Sequence, residues 1–218
     1  KGSENNIRLL NFSLSNKKYH VQASCYGKKI SWVMPSLGEH WIHNSLSILG
    51  LAVYFKIDFT AILSALSSFE VPQGRGNIIN LRYKDKCFIL IDDSYNSNPA
   101  SLFASLKSFL KLKVMGKKIL VLGEMLELGE ASEEIHRELG KKIEKFQFNV
   151  LYTVGKNMLE MSKALKNVKC KYHDDNLDRI AENILKSIER GDAILIKGSN
   201  SLNLKEIINN IINACEKL

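Results

Sequence analysis

Ile89-Leu90-Ile91-Asp92-Asp93-Ser94-Tyr95-Asn96-Ser97-Asn98-Pro99 is the stretch that decides the fold. An apolar run ends in two carboxylates, passes through a polar loop and reaches Asn98 and Pro99. Asn suits a helix N-cap and Pro suits the first helical position. The stretch therefore reads as strand, loop and helix start. The same order recurs twice. Ile119-Leu120-Val121-Leu122 runs into Gly123-Glu124-Met125-Leu126-Glu127-Leu128-Gly129, after which the acidic Ser132-Glu133-Glu134 suits a helix's first turn. Ala193-Ile194-Leu195-Ile196 runs into Lys197-Gly198-Ser199-Asn200-Ser201. Runs that are apolar on both faces suit parallel strands covered by helices on each side.

Working outward, strands are predicted near 78–83, 86–92, 118–123, 149–154, 169–173 and 192–197. Helices are predicted near 99–113, 132–146, 157–166, 176–190 and 203–216. This alternation gives an α/β class with a doubly wound, mostly parallel sheet. Upstream the rhythm differs. Ile7-Arg8-Leu9-Leu10, Tyr19-His20-Val21-Gln22-Ala23 and Ile30-Ser31-Trp32-Val33 read as short antiparallel strands, with a turn at Tyr26-Gly27-Lys28-Lys29. Pro35-Ser36-Leu37-Gly38 breaks that pattern. Helical spacing then appears at Ile42, Leu46, Leu49 and Val53, and again at Ile62, Leu63, Leu66 and Phe69. Val71-Pro72-Gln73-Gly74-Arg75-Gly76 is the domain boundary, which divides the chain into residues 1–74 and 75–218.

Composition is that of an ordinary globular chain: 218 residues, 45% hydrophobic and 25% charged. No apolar run approaches the ~18 residues of a membrane span, and no signal-peptide pattern opens the chain. The net charge of +8 comes from dispersed lysines, without a basic stripe interleaved with aromatics. A solvated surface is therefore expected rather than a nucleic-acid patch. Cys25, Cys87, Cys170 and Cys215 are far apart in sequence and are expected to be reduced, mostly buried thiols.

In a doubly wound fold, ligands sit beyond the carboxyl ends of the strands. Asp93 at such an end can accept from ribose hydroxyls. Glu124 and Glu127 lie at the same edge, where carboxylates can bind an ammonium group; solvated glutamates are the equal alternative. Lys197 and Ser199 can hold a phosphate or carboxylate, although a capped tight turn explains them as simply. His40 and His43 are three apart at a helix start, without an evident third metal ligand. Asn44, one turn further, can bond a heterocycle edge through its amide. Neither G-x-x-x-x-G-K-[ST] nor G-x-G-x-x-G occurs, so the chain carries no evident triphosphate cradle.

Taken in order, these motifs resemble the Mur ligase family. The carriers are Gly38-Glu39-His40 through Asn44, Pro72 with Gly74-Arg75, and Ile91 through Pro99. Val121 through Gly129 with His136, Gly191-Asp192 and Lys197-Gly198-Ser199 complete the set. The spelling is most similar to that of members adding D-alanyl-D-alanine to UDP-N-acetylmuramoyl-tripeptide. The resemblance implies an ATP-dependent, ADP-forming ligase of peptidoglycan precursor synthesis that works through an acyl phosphate in the bacterial cytoplasm. It implies ATP and Mg2+ as cofactors, a monomer, and no nucleic-acid partner or membrane insertion. Residues 1–74 become the tail of a central ATP-binding domain, and residues 75–218 a Rossmann-like third domain. The UDP-binding domain, the P-loop and the magnesium ligands are expected upstream of Lys1. No metal ligand or certain catalytic residue is then expected here, and residues 1–218 alone are expected to be inactive.

By resemblance, Asn44 contacts adenine and Arg75 the ribose or phosphates. Asp93 takes ribose hydroxyls, and Ser94, Tyr95 and Asn96 line the same nucleotide loop. Glu124, Glu127, Lys197 and Ser199 are implied in the acceptor pocket. The sequence departs from the family pattern at Asn200, often Arg, and at Leu204-Lys205, often Met-Glu. Ser97 replaces a common Ala and Glu124 a common Asp. Two rivals remain: another Mur ligase or a folylpolyglutamate synthase-like ligase, and a non-catalytic basic RNA-binding α/β module.

Overall fold

The computed structural model describes residues 6–16, 18–35, 38–168 and 170–218, without the side chain of Cys170. Ser36 and Leu37 of the expected break, Lys169 of the expected 169–173 strand and the Cys170 thiol lie outside the described residues. The chain forms two compact units that divide between Val71 and Pro72. Pro72, Gln73 and Gly74 fall with the second unit, where the Gly74 N–H donates to the Asp92 carboxylate at 3.0 Å.

In the first unit, β1 (Ile7–Ser15), β2 (Lys18–Cys25) and β3 (Lys28–Met34) form an antiparallel sheet in that order. Alternate residues point inward: Tyr19, Val21 and Ala23 from β2, Trp32 and Met34 from β3. They pack with Ile42 and Leu49 of α1 (Glu39–Tyr54) and Leu66 of α2 (Phe59–Ser67). The β2–β3 turn is tighter than the sequence suggested. Cys25 pairs with Lys28, so only Tyr26 and Gly27 remain outside the strands, both at positive φ. Two left-handed residues match the twist of a two-residue hairpin. Asp58 starts α2 by accepting from the Thr60 and Ala61 amides.

The second unit is built on a seven-stranded sheet. Its strands are β4 (Asn77–Tyr83), β5 (Lys86–Asp93), β6 (Lys118–Gly123), β7 (Val150–Val154), β8 (Cys170–His173), β9 (Ala193–Lys197) and β10 (Glu216–Lys217). The order is β10-β4-β5-β9-β6-β7-β8. β5, β9, β6, β7 and β8 run parallel, while β4 and β10 are antiparallel to their neighbours. The chain steps from β5 to β6, continues outward to β8, then returns to insert β9 at the centre. That central strand is buried at all five positions; the apolar spelling of its first four residues predicts this, and Lys197 is buried as well.

Helices cover both faces. Leu90, Ile119, Val121, Tyr152, Val154, Ile194 and Ile196 pack with Ile180 and Ile184 of α6 (Leu177–Ser187) and Ile207, Ile208 and Ile211 of α7 (Lys205–Asn213). Alternating residues Ile91, Leu120, Leu122, Leu151 and Leu195 point the other way. There α3 (Pro99–Lys111), α4 (Ser132–Ile143) and α5 (Lys156–Ala164) bury Leu102, Leu106, Leu139, Ile143, Met158 and Met161. Each fully buried aliphatic side chain contributes roughly 1.5–3 kcal/mol. Asn98 caps α3 as expected, and Ser101 reciprocates by accepting from the Asn98 amide.

The last helix differs from expectation. Asn200–Leu202 forms one 3-10 turn, and Asn203 takes a left-handed φ of 52° before α7 begins. The helix stops at Asn213, and Glu216–Lys217 pairs with Arg82 and Leu81 of β4. Of the described cysteines, Cys25 is buried and Cys87 and Cys215 are half-buried; all three are free. Burial pushes the thiols of Cys25 and Cys215 up. Among the described residues no helix is long and apolar enough to cross a membrane.

Candidate functional site

Parallel strands end together, so Asp93, Gly123 and Lys197 bring their loops to one edge of the sheet in the second unit. The β5–α3 loop is held first by Asp92. Its Oδ1 accepts from the Ser94 amide at 3.1 Å and the Ser94 hydroxyl at 2.6 Å, and its Oδ2 accepts from the Gly74 amide. The Asp92 carbonyl accepts from the Gly76 amide at 2.7 Å, and the Gly74 carbonyl from the Tyr95 amide at 3.0 Å. The segment 72–76 is thereby laced to the loop. Gly74 is required there: its φ is +77°, and a Cβ would lie 2.9 Å from Tyr95 Cβ. The Arg75 guanidinium sits 3.9 Å from the centre of the Tyr95 ring, in cation–π geometry. Tyr95 itself is 48% exposed.

Asp93 is arranged differently. Its Oδ2 meets the Lys197 ammonium at 2.9 Å and accepts from the Ser105 hydroxyl of α3. Among the described residues Oδ1 accepts nothing. Lys197, the register neighbour of Asp93 on β9, is 2% exposed and also donates to the Asn96 carbonyl at 2.9 Å. The sequence suggested that Lys197 can hold a carboxylate; the carboxylate it holds here belongs to the protein.

The β6–α4 loop is pinned amide by amide. Glu124 N–H donates to the Val154 carbonyl at 2.9 Å, Met125 N–H to His136 Nε2 at 3.1 Å, and Leu126 N–H to the Ser199 hydroxyl oxygen at 3.0 Å. His136 is fully buried, and its Nδ1 lies 2.7 Å from the Ser132 carbonyl. A ring nitrogen that accepts an amide proton carries none, so Nδ1 holds the proton and donates it. The Glu124 carboxylate turns away from the loop. It accepts from the Asn157 amide and side chain at 3.2 and 2.7 Å, at the N-terminus of α5, where a negative charge is favoured. Glu127 stays exposed with φ +63°, a conformation costing roughly 1–2 kcal/mol in a non-glycine residue.

Between these loops lies a cleft of about 390 Å³ lined by residues 95–98, 126–128 and 199–201. Tyr95, Asn96, Glu127 and Ser199 of the candidate set line it. Ser94 and Glu124 are not among its lining residues, and Lys197 lies buried behind it. Asn44 is exposed on α1 of the first unit. Among the described residues no group of three or more His, Cys, Asp or Glu side chains could hold a metal ion, His40 and His43 included. Sequence reading assigned nothing to Ser105 or Asn157, and treated Asp92 only as half of a dipeptide. The partners of Ser105 and Asn157 are distant in sequence, and Asp92 joins its near neighbour Ser94 to the distant Gly74, so the local spelling holds little signal for these roles.

A doubly wound α/β domain with its loops gathered at the carboxyl edge of the sheet is the class this architecture defines. The sequence model of the Mur ligase glutamate ligase domain matches residues 74–200, and the chain belongs to the Mur ligase family. It is 29% identical over 217 residues to UDP-N-acetylmuramoyl-tripeptide–D-alanyl-D-alanine ligase of Bacillus subtilis, an alignment covering 98% of this chain and 46% of that protein. The fold is similar to that of MurF from Acinetobacter baumannii, with a TM-score of 0.82 at 22% identity, covering 97% of this chain and 46% of that one. It is also similar to the MurF ligase of Thermotoga maritima in complex with ADP, with a TM-score of 0.77 at 21% identity, covering 96% and 46%. The chain spans about half the length of the curated relatives it matches.

Proposed function

We propose that this chain is the carboxyl-terminal part of an ATP-dependent, ADP-forming ligase of peptidoglycan precursor synthesis. The complete enzyme joins D-alanyl-D-alanine to UDP-N-acetylmuramoyl-tripeptide in the bacterial cytoplasm. The observation that carries this reading is the alignment of nearly the whole chain with a ligase of that name. Residues from Pro72 onward serve as the third domain, and residues 1–71 as the tail of the central ATP-binding domain. A supporting feature is the exposed apolar surface of α1 and the turn after it, where Ile48, Leu51, Tyr54 and Phe55 are 44–78% exposed. Apolar surface of this kind suits burial against further protein.

Bound ATP supplies the phosphoryl group that converts the tripeptide's terminal carboxylate into an acyl phosphate with a good leaving group. Asp93 Oδ1 takes ribose hydroxyls, Tyr95 and Asn96 line the nucleotide's path, Ser94 braces the loop through Asp92, and Arg75 offsets phosphate charge. Glu127 attracts the dipeptide's ammonium, with Ser199 beside it in the cleft. Glu124 acts by fixing the loop that presents Glu127. The acceptor end must be screened from water, which would hydrolyse the acyl phosphate. Among the described residues no group of three or more His, Cys, Asp or Glu side chains could hold a metal ion, and the magnesium ligands are proposed to lie in the part of the ligase that this chain does not span.

The test is phosphate release by the complete parent protein with ATP, magnesium and UDP-N-acetylmuramoyl-tripeptide, with and without D-alanyl-D-alanine. Release that needs the dipeptide, and falls roughly tenfold or more in kcat/KM for ATP in Asp93→Asn, is expected. Asn is chosen over Ala because Ala would strand the buried Lys197 ammonium. Dependence on another acceptor would replace the member and keep the family; no release with any acceptor would overturn the reading.

A further inference from the structure

Lys197 is spelled like a ligand-binding residue and is built like an internal brace. An ammonium that recognises an incoming carboxylate or phosphate must reach it. Lys197 is 2% exposed, and its two partners are both within the protein. These are Asp93 Oδ2 and the Asn96 carbonyl, each at 2.9 Å. They lie at the start and in the middle of the β5–α3 loop, so a single side chain from β9 ties across that loop. Ser105 donates to the same oxygen, Oδ2, from α3. The carboxylate is therefore gripped on one oxygen from two elements, which fixes its rotation. Oδ1 is the oxygen that no described group engages.

We propose that Lys197 is a positioning residue that makes no contact with the acceptor. It locks the β5–α3 loop through Asp93 and Asn96, and so aims the second Asp93 oxygen at a nucleotide's ribose. Burying an ammonium without a partner is strongly unfavourable, so the pair forms as the strands come into register and persists without ligand. The loop is thus set before the nucleotide arrives, which spares the ordering cost at binding. The nucleotide part of this inference rests on the ligase reading above; the loop-locking part does not.

The experiment uses the complete parent protein with Lys197→Met, Asp93→Asn and the double variant. Without ligand, amide hydrogen exchange in Lys197→Met is expected to accelerate roughly tenfold across residues 94–98, while residues 124–128 keep their rate. In turnover, the KM for ATP is expected to rise roughly tenfold and the KM for the dipeptide to stay within about twofold. If Lys197→Met alone fails to fold, the double variant removes both charges, and it should show the ATP defect of Asp93→Asn with nothing added. Unchanged exchange at 94–98, or a dipeptide KM that rises in either Lys197 variant, would overturn the proposal. If no acceptor supports turnover, the ligase reading fails while the exchange measurement still decides whether Lys197 locks the loop.

Discussion

Asp192 at the amino edge of the second unit's sheet and Asp93 at its carboxyl edge are both buried, and the two are used in opposite ways. At the amino edge Asp192 is 1% exposed, and both of its oxygens are taken by backbone amides: Lys117 at 2.6 Å and Glu189 at 2.8 Å. Its own carbonyl accepts from Ile89 at 3.0 Å. Gly116 packs so close that a Cβ there would lie 2.3 Å from Asp192 Oδ1. At the carboxyl edge Asp93 is gripped on one oxygen and left open on the other. A carboxylate whose acceptors are all consumed by amides is a fastening for turns. A carboxylate with one oxygen held and one unclaimed is oriented for something else. The edge alone does not make the difference, because Asp92 at the carboxyl edge is also a fastening, with Oδ1 on Ser94 and Oδ2 on the Gly74 amide. Asp93 differs in being held on one oxygen by Lys197 of the neighbouring strand and Ser105 of α3.

The sharpest way to break this comparison is to remove the fastening. Asp192→Ala leaves two part-buried amides without acceptors and a space beside Gly116, and unfolding free energy should fall by about 4 kcal/mol. Urea titration reads it, and a loss under about 1 kcal/mol would mean that Asp192 is no fastening. Next in size is His136→Ala, which strands the Met125 amide and opens a cavity. A loss of about 3 kcal/mol is expected on the same titration, with faster amide exchange confined to residues 124–128. Exchange spreading equally into 94–98 would show that the two loops are one unit rather than two.

The smallest effect tests a carboxylate at the open edge that is nonetheless spoken for. Asp174, just after β8, accepts from the Arg179 guanidinium, which lowers its pKa from 3.8 to about 2. A depressed folded pKa stabilises above the unfolded value and ceases to do so as pH falls through the folded value. The stability difference between wild type and Asp174→Asn should be about 0.5 kcal/mol at neutral pH, shrinking below about pH 4 and vanishing only as pH falls through about 2. A difference that does not change over that range would remove Arg179 as the cause.

Much of the second unit was legible because its signals are local. Residues 119–122 and 193–196 are apolar on both faces, and only burial under two helical layers accommodates that. Asn98-Pro99 marked a helix start through its own backbone chemistry. The end of the chain was less legible: Ile207, Ile208 and Ile211 have helical spacing, and nothing nearby signals that Glu216 will find an open edge on β4. The site divides in the same way. Asp93, Tyr95, Asn96, Glu127 and Ser199 were picked out by their place after apolar strands, and all but Asp93 line one cleft. Glu124 and Lys197 shared that placement, yet their side chains serve Asn157 and Asp93.

By itself, then, the sequence determined the strand–helix alternation, the class of sheet and the edge at which polar loops gather. Periodicity, capping and turn chemistry act within a few residues and are written in the order of the chain. Only the tertiary structure decided which oxygen of Asp93 is held and which is left open, that Lys197 is a brace, and that His136 supports the Met125 amide. Those facts rest on pairs such as Asp93 and Lys197, brought side by side when β9 inserts next to β5. A side chain's role depends on the partners that surround it once buried, and strand order, not spelling, chooses those partners.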